Sequence, residues 1–215
     1  MDGFRAVIWD FGGVITSSPF DAFAAFEAER GLPPGFLRRV NATDPDTNAW
    51  AQLERSEIDA ATFDRLFAEE SRRLGHEVRG ADVLPLLSGA IRPRMVAALD
   101  ALRRAGFRLG CITNNARVGH GPAMAGQPER AQDVAAVLAR FDVVLESSKV
   151  GVRKPDPRIY RMMLDALGLP AAACIYLDDL GINCKPAAAL GMRAIKVASE
   201  DQALGELSAL VGIPL

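Results

Sequence analysis

Short apolar runs alternate with capped helical segments from one end of this chain to the other, and that alternation limits the folds open to it. The runs at residues 7–9, 107–112, 143–146, 175–177 and 194–197 are too short for helices. Their apolar character suits strands buried on both faces of a sheet. Between them lie helical patterns at about 93–105, 129–139 and 157–167, one more before residue 194, and one at the C-terminus. Gly106 and Gly168 stand where helix ends need them, and Asp156 is placed to open a helix. Strands alternating with helices imply right-handed crossovers and a parallel sheet. The expected fold is therefore α/β, a three-layer Rossmann-like parallel sheet.

One stretch breaks the alternation. From residue 17 to residue 90 no convincing strand occurs. Ser18 and Pro19 form an N-cap and first-turn pair before Phe20, Phe23, Ala24 and Glu27, and Gly31 stops that helix. Residues 34–40 and 47–53 read as short helices. Asp59 can cap a longer one that carries Phe63, Leu66, Phe67 and Leu74 on one face, and Gly75 ends it. The expectation is a core of residues 1–16 and 91–215 interrupted by a helical insertion at 17–90. Residues 113–128, rich in Asn, Gly and Pro, read as a long loop.

Composition narrows the function classes. The 215 residues are 49% hydrophobic with a net charge of −2, enough for a sizeable core and against disorder. No basic block points to nucleic acid, and no apolar run approaches membrane-spanning length. The first strand begins within a few residues of Met1, which leaves no room for a signal peptide. Cys111, Cys174 and Cys184 show no paired spacing, so buried thiols in a reduced, cytoplasmic setting are expected.

The polar residues closing the strands carry the chemistry. Asp10 ends the first run and is followed by Phe11, Gly12 and Gly13. Thr113 and Asn114 follow the second run, Lys154 lies in VRKPDP, and Asp178 with Asp179 ends the run in YLDDLGIN. In a parallel sheet the strand ends share one edge, so these groups can meet in one crevice. Clustered carboxylates repel one another unless a cation is present, and hard oxygen ligands favour magnesium. A hydroxyl, a lysine and loop N–H groups suit a bound phosphate, and the glycines let the backbone approach an anion. Asp10 would then be a nucleophile. Singly, Thr113 and Asn114 read as a turn and Lys154 as a solvated cation. Asn183 either steadies the site or is solvated. Together at successive strand ends, the functional reading outweighs these.

Four motifs in order, WDFGGV, ITNN, the lysine of VGVRKPDPRIY, and YLDDLGIN, resemble those of the haloacid dehalogenase superfamily nearly end to end. The second half is similar to the N-terminal phosphatase-like domains of soluble epoxide hydrolase and acyl-CoA dehydrogenase family member ten. The insertion is similar to the subclass I cap. The resemblance implies Asp10 as nucleophile, with Thr113 and Lys154 completing the catalytic set. It implies phosphate binding by Phe11, Gly12, Thr113, Asn114 and Lys154, and Mg2+ held by Asp10, the Gly12 carbonyl and Asp179, with Asp178 as ligand or support. It departs from the family pattern at Gly12, where phosphatases usually carry an Asp as general acid.

The function expected is a magnesium-dependent phosphatase acting on a small phosphorylated metabolite through an aspartyl-phosphate. The partners expected are that metabolite alone, without nucleic acid or membrane, for a monomer or homodimer. A dehalogenase using Asp10 is the alternative that needs no acid at position 12, although the Asp178–Asp179 pair argues against it. A catalytically weak binding or dimerisation domain is a third reading.

Overall fold

The computed structural model describes residues 3–117 and 128–215. Its centre is a parallel sheet of five strands, β1 (Ala6–Trp9), β2 (Arg108–Thr113), β3 (Val143–Glu146), β4 (Cys174–Asp178) and β5 (Arg193–Lys196), in the order β3-β2-β1-β4-β5. Every pairing is parallel. The chain winds outward from β1 through β2 to β3, then returns to the other side of β1 for β4 and β5. That reversal opens a crevice at the carboxyl ends of the central strands.

Five helices of the insertion follow β1: α1 (Pro19–Glu29), α2 (Phe36–Ala42), α3 (Ala49–Glu54), α4 (Ala60–Arg73) and the short α5 (Gly80–Val83). A 3-10 turn at Leu84–Leu87 leads back, and an isolated bridge between Thr16 and Ile91 marks where the chain leaves and re-enters the sheet layer. The sheet is then flanked by α6 (Pro93–Arg104), α7 (Pro128–Leu138), α8 (Ser147–Val150), α9 (Pro157–Leu167), α10 (Gly181–Ala189) and α11 (Glu200–Val211). Among the described residues no strand occurs between 17 and 90. Of the stretch expected as a loop, residues 118–127 lie outside the described residues. No helix is long and apolar enough to cross a membrane.

The continuous apolar character of β1 follows from its position. Val7 and Trp9 face one cluster, with Met95, Leu99 and Leu102 of α6 and Leu204 and Leu207 of α11. Ala6 and Ile8 face the other, with Ile159, Tyr160 and Met163 of α9. Both faces are therefore dry, and no position alternates to water. Gly110 of β2 is glycine because Met163 packs against the bare backbone there, where a Cβ would lie 2.7 Å from the Met163 sulfur.

The insertion has a cluster of its own, including Phe36, Leu37, Phe63 and Phe67, and Ala116 of the β2 loop joins it. The capping residues expected from sequence act as caps: Ser18, Asp59 and Asp156 each accept a backbone N–H of the first turn. Glu27 joins α1 to α2. Although on a helix face with apolar neighbours, its carboxylate is buried and accepts the Gly35 N–H at 2.7 Å and the Leu37 N–H at 2.8 Å. Glu27→Ala leaves two withdrawn donors unmatched and should cost roughly 2–4 kcal/mol. Denaturant unfolding checks this: the midpoint should fall with the slope unchanged.

Candidate active site

Register brings the first two acids together. Trp9 pairs with Leu177 across β1 and β4, and the Asp10 N–H donates to the Leu177 carbonyl at 2.8 Å. Asp10 and Asp178 are therefore neighbours at the end of adjacent strands. Lys154 lies between them, fully buried, with Nζ 2.7 Å from Asp10 Oδ1 and 2.8 Å from Asp178 Oδ2. The carboxylate oxygens of Asp10, Asp178 and Asp179 come within 4.8 Å of one another.

These acids have different tasks. Asp178 Oδ2 accepts from Lys154, from the Tyr176 hydroxyl at 2.6 Å and from Asn183 at 3.1 Å. Its Oδ1 accepts the Leu180 N–H at 2.8 Å and Asn183 at 3.1 Å. A carboxylate with both oxygens so engaged is a support for its neighbours. Asn183, for which the sequence left support of the site and solvation both open, is buried and holds Asp178. Below it, the Tyr160 hydroxyl donates to the Asn183 carbonyl at 2.8 Å, and the Tyr160 and Tyr176 rings meet edge to face. Asp10, by contrast, has its hydrogen bond and ion pair with the described residues on Oδ1.

One expectation needs correction, and two further site residues have partners within the protein. Lys154 does not follow a strand directly: β3 ends at Glu146, and α8 and a loop intervene. Asn114, expected at a phosphate, is tied to Lys154 by its side chain. Its amide donates to the Lys154 carbonyl at 3.0 Å and its oxygen accepts the Lys154 N–H at 2.9 Å, so it clamps the lysine's backbone. Phe11, also expected at a phosphate, donates its N–H to Asp10 Oδ1 at 2.6 Å and so orients that carboxylate. The Gly12 N–H finds no acceptor among the described residues, and Thr113 lies at the same cavity as Gly12.

Several positioning residues carried no sequence signal read above. Glu146 and Ser148 hold the Asn115 side chain, at 2.8 Å each, while the Ser147 hydroxyl accepts the Asn115 N–H at 3.0 Å. Arg92 donates to the Gly13 carbonyl at 3.0 Å and fixes the loop after Asp10. From the insertion, Glu54 pairs with Arg153 at 2.7 Å and accepts the Trp50 indole N–H at 3.0 Å. Arg153 also donates to the Pro45 carbonyl at 2.8 Å. The insertion thus grips the residue next to Lys154. A buried tyrosine in β4 was the one readable clue, since its hydroxyl must find a partner.

Burial dominates the electrostatics. It pushes Asp10 well above the usual carboxylate range, opposed by Lys154 and reinforced by Asp178 and Asp179. Burial alone would depress Lys154, but Asp10 and Asp178 outweigh it and hold the ammonium protonated. Asp179 is raised to about 6, by burial first and Asp178 second. Three carboxylates against one lysine are short of positive charge, and an oxygen-only set of donors fits a hard divalent cation. Gly13 permits the crowding. At φ 76°, its bare Cα faces the Asp179 carboxylate, and a Cβ would fall on it. Gly12 differs: it has no positive φ, and a Cβ there meets nothing within 4 Å.

The chain matches the haloacid dehalogenase-like hydrolase family over residues 4–191. It is 34% identical to acyl-CoA dehydrogenase family member 10 of Mus musculus over 99% of its own length, and spans 20% of that longer protein. It is 30% identical to a protein of Mycobacterium tuberculosis named as a phosphatase, covering 97% of this chain and 95% of that one. Its fold is similar to that of a haloacid dehalogenase family enzyme of Bacteroides thetaiotaomicron in complex with magnesium and inorganic phosphate. That likeness has a TM-score of 0.60 at 17% identity, over 92% of this chain and 96% of the other.

Two outcomes test the site's physics. Gly13→Ala should be destabilised by more than about 1 kcal/mol through strain and collision, whereas Gly12→Ala should melt close to wild type. The raised Asp179 binds its proton more tightly folded than unfolded, so its contribution is present at low pH and lost as pH rises through about 6. Without metal, wild type should therefore lose stability relative to Asp179→Asn across that interval, read from paired melts at each pH.

Proposed function

This chain belongs to the haloacid dehalogenase-like hydrolase family, and within that family we propose that it is a magnesium-dependent phosphatase of a small phosphorylated metabolite. The observation that carries the reading is Lys154 held between Asp10 and Asp178, with Asp179 in the same crevice. The near full-length similarity to a protein named as a phosphatase supports it.

Asp10 is the nucleophile. One carboxylate oxygen attacks phosphorus in line, the ester bond to the alcohol breaks, and the phosphoryl group is carried on Asp10 as an aspartyl-phosphate. Water then cleaves that mixed anhydride and returns Asp10 to its starting state. Lys154 stays protonated throughout, orients Asp10 and offsets charge on the phosphoryl oxygens. Asp178, fixed by Tyr176, Asn183 and the Leu180 N–H, keeps Lys154 in place. Thr113 and the Gly12 N–H hold phosphoryl oxygens. Asp10, the Gly12 carbonyl and Asp179 are the residues that would hold Mg2+, which when bound neutralises charge on the phosphoryl group. The helical insertion, which leaves and re-enters the core at Thr16 and Ile91, would close over the crevice and limit water there during phosphoryl transfer to Asp10.

Gly12 brings no proton to the leaving alcohol. The dehalogenase alternative draws on that same feature, since halide leaves without one. The carboxylate cluster favours phosphoryl transfer, in which a cation has work to do.

Assays of phosphate release from a panel of esters, with and without Mg2+, test the reading, with halide release from 2-haloacids alongside. Phosphate should appear only with Mg2+ and should vanish in Asp10→Asn. Turnover should favour activated aryl and acyl phosphates over alkyl phosphates. In Gly12→Asp, for which the space is open, a proton donor worth roughly 10²–10⁴-fold should raise alkyl turnover most and flatten that dependence. Metal-independent halide release would replace this reading with the alternative.

A further inference from the structure

Lys154 lies in the loop of residues 151–156, between α8 and α9. Asp10 and Asp178 hold its ammonium, and Asn114 holds its backbone from the core side. A second tie runs out of the core. Arg153, one residue before the lysine, reaches the insertion at two points. Its Nε lies 2.7 Å from Glu54 Oε2, and its Nη1 donates to the Pro45 carbonyl at 2.8 Å. Both partners of the pair are largely out of water, with the Arg153 side chain 19% and the Glu54 side chain 11% exposed.

Glu54 is itself fixed. It ends α3, and its Oε1 accepts the indole N–H of Trp50, one turn earlier, at 3.0 Å. Burial raises its carboxyl above the usual carboxylate range, against the pull of Arg153, then the Trp50 bond, then Lys154. The carboxylate therefore lies in the field of the lysine as well as that of its partner. Two residues on, Ser56 has a left-handed backbone at φ 59°, and its hydroxyl donates to the Ser148 carbonyl at 2.9 Å. Backbone strain of this kind persists where the surroundings hold it. These contacts are polar, whereas the apolar cluster of the insertion is its own, with Ala116 as the core residue among its described members. Polar junctions between two bodies part and re-form more readily than apolar ones.

We propose that Glu54 and Arg153 are positioning residues for Lys154. Through this pair the insertion sets the loop that carries the lysine, so Lys154 is held in place against Asp10 only while the insertion is seated. Neither residue makes or breaks a bond. The kinetic part of the test rests on the phosphatase reading above, and the exchange part does not.

Glu54→Gln, Arg153→Met and the double variant, made in the full chain, separate positioning from stability. Each single change leaves a withdrawn partner unmatched and should lower the melting temperature. The double change removes both charges and should melt closer to wild type than either single one. Activity should not follow that recovery. With para-nitrophenyl phosphate and Mg2+, kcat should fall roughly 10- to 100-fold in all three, with KM within about threefold of wild type. The double variant should be no slower than the slower single one, because the two residues act as a unit. Arg153→Lys, which keeps the charge but not the planar fork, should retain part of the activity, and it carries the comparison if the double variant fails to melt cooperatively. Hydrogen exchange gives a readout free of turnover. The Lys154 N–H, bonded to Asn114, should lose protection by roughly tenfold or more in the double variant. The Asp10 N–H, bonded to the Leu177 carbonyl, should keep its protection. A double variant that melts near wild type with wild-type kcat, or one that loses kcat while the Lys154 N–H stays protected, would overturn the positioning role. A wild type without phosphate ester turnover would overturn the phosphatase reading, and exchange at Lys154 would then decide the positioning by itself.

Discussion

The rest of the site depends on one buried ammonium. Lys154 is out of water with a carboxylate on either side, and a charged group so placed persists only because its partners are fixed. Every neighbouring feature serves that condition. Asn114 clamps the lysine's backbone on both sides of the peptide. Asp178 is anchored by a tyrosine, an asparagine and a backbone donor. Asp10 is aimed by the N–H of the residue after it. The parallel sheet matters because its register lets Asp10 and Asp178 approach closely enough to share the lysine.

Much of this was legible in the residues. The dry, continuous runs of β1 and β4 marked buried strands, because a strand covered on both faces has no reason to alternate. Ser18, Asp59 and Asp156 announced their helices through side chains that suit orphan N–H groups. Asp10, Thr113, Lys154 and Asp179 could be named because their types, at the same edge of one sheet, make sense only together. What escaped was tertiary. Glu54 and Arg153 belong to distant segments, and nothing local tells a glutamate on a short helix that its partner lies in the loop before Lys154. Asn114 and Phe11 were named for the site, but their bonds to Lys154 and Asp10 were not foreseen. Sequence shows which donors are present and leaves open which acceptor reaches them first.

Two adjacent glycines show how much a position's surroundings decide. Gly13 has a backbone turn that side chains resist, and a carboxylate packed against its Cα. Gly12 has an ordinary backbone and open space. The first is glycine by necessity. The second is glycine without that compulsion, since the fold leaves room for a side chain there.

The Glu54–Arg153 pair bears on modularity. A helical insertion of this kind invites treatment as an exchangeable attachment, to be swapped so that an old core acquires a new appetite. Here the graft would sever a carboxylate from an arginine one peptide away from Lys154, and would strand that guanidinium beside the buried ammonium. A replacement must bring its own acid to the same place before its new walls can matter. The junction, rather than the walls, sets which exchanges this scaffold accepts.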